Sequence, residues 1–219
     1  MGRNFSSDHV APACDAIMSA VHKANEGFVT SYGGDDLTAK LTSVASELFE
    51  KQVAIFPVTS GTAANALALS QVVPTFGAIY CYEAAHIVTD EAGAPAFFTG
   101  GAQLVGFPAA DGKIRPEQLM KAVAFAEDLG IHHVKPGVVT LTQATEWGTV
   151  YRLPEIAAIR STARTPTRSM LRRGPSNSVA AASAKARSAM ACKLGTAPRS
   201  SLSASSYGEL AIVFLFVYM

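Results

Sequence analysis

AIYCYEAAHIVTDEAGAPAFFTGGAQLVGF, residues 78–107, decides the fold class. Its two ends, AIYCYE (78–83) and AQLVGF (102–107), are short apolar runs containing aromatic and branched side chains, and the segment around Asp90–Phe97 between them reads as helical. A strand, a helix and a second strand in such close succession form a crossover unit whose strands run parallel. Neither run alternates cleanly between apolar and polar residues, as expected of strands covered on both faces.

The same grammar extends outward from this unit. Upstream, QVAIFPV (52–58) reads as a buried strand, followed by Thr59-Ser60-Gly61-Thr62 and an Ala/Leu-rich helix from Ala63 to about Val72. Downstream come a helix opened by Pro116 and running to Leu129, a strand VVTLT (138–142), and a helix LPEIAAIRSTA (153–163) with Pro154 at its first position. Nearer the N-terminus, Pro12 opens a helix that carries Ile17, Met18 and Val21 on one face and stops at Asn25-Glu26-Gly27. After the interruption SYGGDD (31–36), Asp35 and Asp36 favour a new helix start, with Leu37, Leu41, Val44, Ala45 and Leu48 recurring at helical spacing. The expected class is α/β, a parallel sheet with helices on both faces.

At 219 residues and 49% hydrophobic content the chain has the material for a real core, which excludes collagen-like, wholly disordered and disulfide-scaffold classes. Cys14, Cys81 and Cys192 are far apart and show no C-x-x-C spacing, so no disulfide framework and no metal site is expected. MGRNFSSDHV has no apolar signal core, and a cytoplasmic location is the expectation. A net charge of +1 conceals a split: residues 1–159 hold 9 Lys+Arg against 16 Asp+Glu, and residues 160–219 hold 9 against 1. From Arg160 to Ser206 there is no acid and no aromatic, and such a segment buries too little apolar surface to offset its ordering entropy. The expected organisation is a partial large domain over 1–163, a basic, low-complexity, disordered or irregular segment over 164–206, and a short apolar segment over 207–219. The basic segment lacks stacking aromatics and any recognised module, so nonspecific sticking to polyanions is expected and specific nucleic-acid binding is not. LAIVFLFVYM (210–219) is half the ~20 residues a membrane-spanning helix needs and reads as a strand or a sticky tail.

Chemistry concentrates at the strand ends. Ser60-Gly61-Thr62-Ala63-Ala64-Asn65 opens a helix, where unpaired N–H groups and the positive end of the helix dipole suit a phosphate; an ordinary capped helix is the plainer reading of the same residues. His86 follows a strand at its carboxyl end, the edge where open parallel sheets bind ligands, and could stack on a flat ring or act as a base; for a lone histidine a loop or core residue is the plainer reading. Asp90 and Glu91 either hold that ring or begin a helix. His132-His133 point to opposite faces if extended and do not make a metal pair. Thr145-Glu146-Trp147-Gly148 follows the strand 138–142, again at a carboxyl edge, with packing of Trp147 as the plain explanation.

Taken in order, NFSSDHVAPACDAIMSA, SYGGDD, FPVTSGTAANALAL, YEAAHIVTDEAGAP and LTQATEWGTVYRLPEI resemble the low-specificity L-threonine aldolases and related β-eliminating lyases, over about residues 4–163. The resemblance implies the large domain of the aminotransferase-like fold, incomplete here, with pyridoxal 5'-phosphate as cofactor. It implies retro-aldol cleavage of β-hydroxy-α-amino acids (threonine, allo-threonine) to glycine and an aldehyde, by a homo-oligomer acting on a small-molecule amino acid. Carried across, Ser60, Gly61 and Thr62 bind the cofactor phosphate, and His86 stacks on the pyridine ring and helps orient the substrate hydroxyl. Ser7 touches the substrate carboxylate, the Tyr32–Asp35 loop lies near a neighbouring subunit's site, and Glu91 matches a family glutamate close to the site. Glu146 stands where some members have a histidine.

After residue 163 the pattern departs. The family continues with a strand ending in Asp-Gly-Ala-Arg and then the lysine that attaches the cofactor; neither motif occurs, Lys185 and Lys193 lie in the low-complexity stretch, and Arg172-Arg173-Gly174 is no substitute. Two other readings follow, a non-catalytic product whose basic tail associates with polyanions or full-length subunits, and a lyase catalysing another β-elimination. The Ala/Arg/Ser/Gly/Pro bias that starts in mid-helix is what out-of-frame translation of GC-rich DNA yields. We expect a one-base shift of the coding DNA between codons 164 and 206 to reveal a strand–Asp-Gly-Ala-Arg segment and a lysine motif; sequencing the locus checks this, and their absence from both alternative frames overturns it.

Overall fold

A computed structural model describes residues 11–163 and, as backbone, 211–215. The chain divides into two compact units, residues 1–57 with 218–219, and residues 58–217. Ser7 and the basic segment 164–206 lie outside the described residues.

The first unit contains α1 (Asp15–Ala24) and α2 (Asp36–Leu48). Pro12 precedes α1 rather than opening it: Cys14 is the N-cap, and its carbonyl accepts from the N–H groups of Ile17 and Met18. α2 starts where the acids predict, because the Asp35 carboxylate accepts from Thr38 N at 2.9 Å and from Thr38 Oγ1 at 2.7 Å. Both interactions hold the Asp35 carboxyl below its ordinary range. The expected apolar faces are present, but Ile17, Val21, Leu37, Val44 and Leu48 are exposed, and Ala45 alone is buried among the unit's described residues. Residues 52–58 correct the sequence reading: they form no strand, and their residues are exposed or half-buried. Pro57 supplies no ladder donor, and Val53 N donates to the Ser46 hydroxyl at 3.2 Å instead of to a neighbouring strand.

The second unit is a four-stranded sheet in the order β2-β1-β3-β4, with β1 (Gly77–Tyr82), β2 (Gln103–Phe107), β3 (Lys135–Thr142) and β4 (Ala211–Leu215), and the three pairings are parallel. Every residue of β1 is buried, so both of its faces are covered, as its unbroken apolar run predicts. Helices α3 (Gly61–Val72), α6 (Pro116–Asp128) and α7 (Leu153–Ala163) surround the sheet, with Leu69, Leu119 and Ile159 fully buried against Ile79, Val138 and Val139. Tyr80 and Phe107 stack across β1 and β2 with ring centroids 5.7 Å apart. The apolar stretch near the C-terminus resolves to a strand over Ala211–Leu215.

Two departures have local causes. The single helix expected around Asp90–Phe97 is two short ones, α4 (His86–Thr89) and α5 (Ala94–Thr99), because Ala92 (φ 48) and Gly93 (φ 76) adopt the left-handed region between them. β3 begins earlier than expected, taking in Lys135 and Pro136; the register slips there, Ala78 pairing with Pro136 and Ile79 with Val138, so that Gly137 is the extra residue. A Cβ on Gly137 would stand 2.6 Å from Val73 Cγ2 and 2.9 Å from the Ala78 carbonyl, whereas one on Gly61 would meet nothing within 4 Å. Gly137→Ala should therefore cost about 1–3 kcal/mol and Gly61→Ala roughly 0.5 kcal/mol or less. Paired thermal melts check this, and equal melting temperatures would contradict the bulge.

Candidate active site

Parallel strands deliver their carboxyl ends to one edge, and the loops leaving β1 and β3 both turn out there. β1 ends at Tyr82 and runs through Glu83–Ala85 into α4, whose first residue is His86. β3 ends at Thr142 and leads into the turn Gln143–Thr149. The third component is the start of α3, which belongs to the same unit.

At that start Ser60 is the N-cap, its hydroxyl accepting from Ala63 N at 3.2 Å while its carbonyl accepts from Ala64 N. The N–H groups of Gly61 and Thr62 precede the first intrahelical acceptor. One turn on, Asn65 is 3% exposed, and its Nδ2 donates a short hydrogen bond to Glu91 Oε1. The same oxygen lies 2.9 Å from His86 Nδ1. The Glu91 side chain is wholly buried, the His86 ring is 43% exposed, and Glu91 Oε2 is buried without a partner among the described residues. Ser60, Gly61, Thr62, His86 and Glu91 are thus brought together by one residue that lies between them, Asn65. Its signal in the sequence is an amide inside an Ala/Leu-rich helix, where asparagine is a poor helix former.

The turn after β3 contributes more structure than the sequence shows. Glu146 Oε1 accepts from the backbone N–H of His86 at 2.9 Å and from Thr142 Oγ1 at 3.0 Å. Since the N-cap of α4, Ala85, has no side chain that can cap it, Glu146 serves as its cap from 60 residues away. Trp147 Nε1 donates to Tyr82 OH at 2.7 Å, a tie between the β1 and β3 ends, so Trp147 does more than pack. Beneath them Thr145, 1% exposed, is 2.8 Å from the Thr149 hydroxyl, which donates to the Asp111 carbonyl at 2.6 Å. Tyr151 OH accepts from Ile114 N at 2.6 Å, and burial pushes its phenol up to about 12. Cys81 sits in the same dry strand, where burial raises its thiol to about 12 and leaves it a packing residue.

Tyr32 belongs to the first unit, in the left-handed region at φ 59 with its side chain exposed. His132 closes a 3-10 turn at Gly130–His132, and the His133 ring meets Phe125 edge-on, so neither joins the group at the sheet edge. Replacing Glu146 by Ala should remove the α4 cap at a cost of about 1 kcal/mol and speed hydrogen exchange at the His86 amide several-fold, while Glu146→Gln, which keeps the acceptor, retains protection. Unchanged exchange in the alanine variant would show that the cap has no weight.

Residues 4–171 match the model of the β-eliminating lyase family. The low specificity L-threonine aldolase of a Pseudomonas species is 40% identical over 162 residues, covering 74% of this chain and 46% of that protein. A probable low-specificity L-threonine aldolase of Schizosaccharomyces pombe is 30% identical over 162 residues, covering 74% and 42%. Among solved structures, Leishmania major threonine aldolase superposes with a TM-score of 0.66 at 27% identity, covering 71% of this chain and 45% of that one. The chain spans less than half the length of these relatives, and the family match spans Ser60–Thr62, His86, Glu91 and the Glu146 turn. The chain belongs to the β-eliminating lyase family.

Proposed function

We propose that this chain carries the phosphate- and ring-binding part of a threonine aldolase-type site, the kind that cleaves β-hydroxy-α-amino acids such as threonine and allo-threonine when complete. The observation that carries the reading is the buried Glu91 carboxylate, which ties the His86 ring to the helix that begins at Gly61. Pyridoxal 5'-phosphate is the cofactor of this family, and two parts of it find residues that fit. The Gly61 and Thr62 N–H groups, the Thr62 hydroxyl and the positive end of α3 suit its phosphate, and the space beside Gly61 is open. A half-exposed imidazole fixed from behind suits its ring. Bound there, the cofactor supplies the electron sink that lets the Cα–Cβ bond break, releasing glycine and an aldehyde.

The chain's own residues divide the remaining work. Gly61 and Thr62 anchor, and His86 stacks and presents a ring nitrogen to the substrate hydroxyl. Glu146 fixes the backbone from which His86 springs. Ser7 is assigned to the substrate carboxylate and Tyr32 to the site of a neighbouring subunit in a homo-oligomer, both on the strength of the matched motifs. With no Asp-Gly-Ala-Arg and no attaching lysine after residue 163, the 219-residue chain holds the cofactor non-covalently and without turnover, which favours the non-catalytic reading for the chain as it stands.

Spectrophotometric titration with pyridoxal 5'-phosphate should show weak, borohydride-insensitive binding. Gly61→Asp should weaken it about tenfold, roughly 1.4 kcal/mol, by setting a carboxylate against the phosphate. Glycine release from threonine and allo-threonine should stay at the blank, and appear when the alternative frame after codon 163 is restored. Equal binding by the wild type and Gly61→Asp would remove the cradle assignment.

A further inference from the structure

Three side chains from three separate places converge in the second unit: Asn65 on α3, His86 at the start of α4 and Glu91 beyond its end. Glu91 Oε1 lies within hydrogen-bond distance of both Asn65 Nδ2 and His86 Nδ1, while Oε2 is buried and, among the described residues, takes no contact. A buried carboxylate oxygen without a donor is costly, and the position would be better filled, for stability alone, by an apolar residue. The arrangement also has a direction. An ionised carboxylate only accepts, so the ring nitrogen facing it is the one that carries the hydrogen. Asn65, whose amide hydrogen already points at Oε1, keeps that oxygen from turning away from the ring.

Among the described residues nothing bonds the other ring nitrogen, Nε2, and the ring is 43% exposed. The backbone of the same residue is pinned separately by Glu146 at 2.9 Å. We infer that Asn65 and Glu91 are positioning residues that hold His86 with its hydrogen on Nδ1, leaving Nε2 a bare acceptor at the exposed edge of the sheet. The direction of the imidazole follows from the three side chains alone; its use, to accept the hydrogen bond of a substrate hydroxyl, rests on the aldolase reading. Metal-bound histidines and the histidines of hydrolytic triads are oriented by the same logic, a carboxylate behind one nitrogen freeing the other for work.

The test is the tautomer of His86 in the full chain without cofactor, read by long-range proton–nitrogen NMR on labelled protein, with the His86 signals assigned by their loss in His86→Asn. The wild type should show a protonated, pyrrole-like Nδ1 and a bare, pyridine-like Nε2. Glu91→Ala should swing the population to the Nε2–H form that histidine side chains favour in water, and Asn65→Leu should give a mixture of the two. A wild-type ring protonated on Nε2 overturns the proposal, and so does an unchanged tautomer in Glu91→Ala. The wild-type measurement decides even if a variant fails to fold. Should the tautomers follow expectation while the frame-restored chain releases no glycine, the positioning device stands and the aldolase reading falls.

Discussion

A single carboxylate, that of Glu91, joins α3, through Asn65, to the histidine that follows β1. The sheet places its strand ends on one edge, but an edge by itself is a row of loops. What distinguishes this edge is that α3 and the first residue of α4 are fastened to each other through the buried carboxylate of Glu91. In a low-dielectric setting such contacts are strong when complete and costly when not, so the orphaned Oε2 marks a place where packing was not the only demand met.

The turn after β3 performs a parallel task for the main chain. By the resemblance in the sequence, Glu146 is expected to occupy a position that a histidine could fill, a group with its own base chemistry. Its oxygen is instead committed to the His86 N–H and the Thr142 hydroxyl. A histidine at this position would meet the backbone N–H with a neutral ring nitrogen rather than a charged oxygen, and the cap on α4 would be weaker. The same position therefore bears on how firmly His86 is held, in addition to whatever it presents to a substrate.

Much of this was legible in the residues. The apolar runs at 78–83 and 102–107 predicted parallel strands, and β1 is covered on both faces as expected, whereas β2 leaves Gln103 and Gly106 exposed; Asp35 and Ser60 stand at helix starts, where their side chains accept from the N–H three residues on. Residues 52–58 misled because branched and aromatic side chains report an extended preference but not whether a partner strand is available. The helix expected at 90–97 ignored the left-handed pair Ala92-Gly93, and Pro136 concealed a strand start that is tolerated only because Gly137 bulges beside it. At the site, His86 and Ser60–Thr62 stood out by motif and by place. Asn65 reaching Glu91 across 26 residues and Glu146 reaching His86 across 60 did not, since pairings of that range are set by the fold and leave no local periodicity.

The pairing of β4 with β3 has a consequence for how this polypeptide is made. Val138 aligns with Ala211, so the flank of β3 facing away from β1 acquires its neighbour only when residues 211–215 have been synthesised. At the usual ribosomal pace of about 5–20 residues per second, that interval is on the order of ten seconds. Throughout it, a strand with buried Val138, Val139 and Leu141 presents a vacant ladder to its surroundings. Nascent chains on one messenger are close enough to meet at such ladders, which makes co-translational chaperone supply a determinant of how much of this protein completes its sheet.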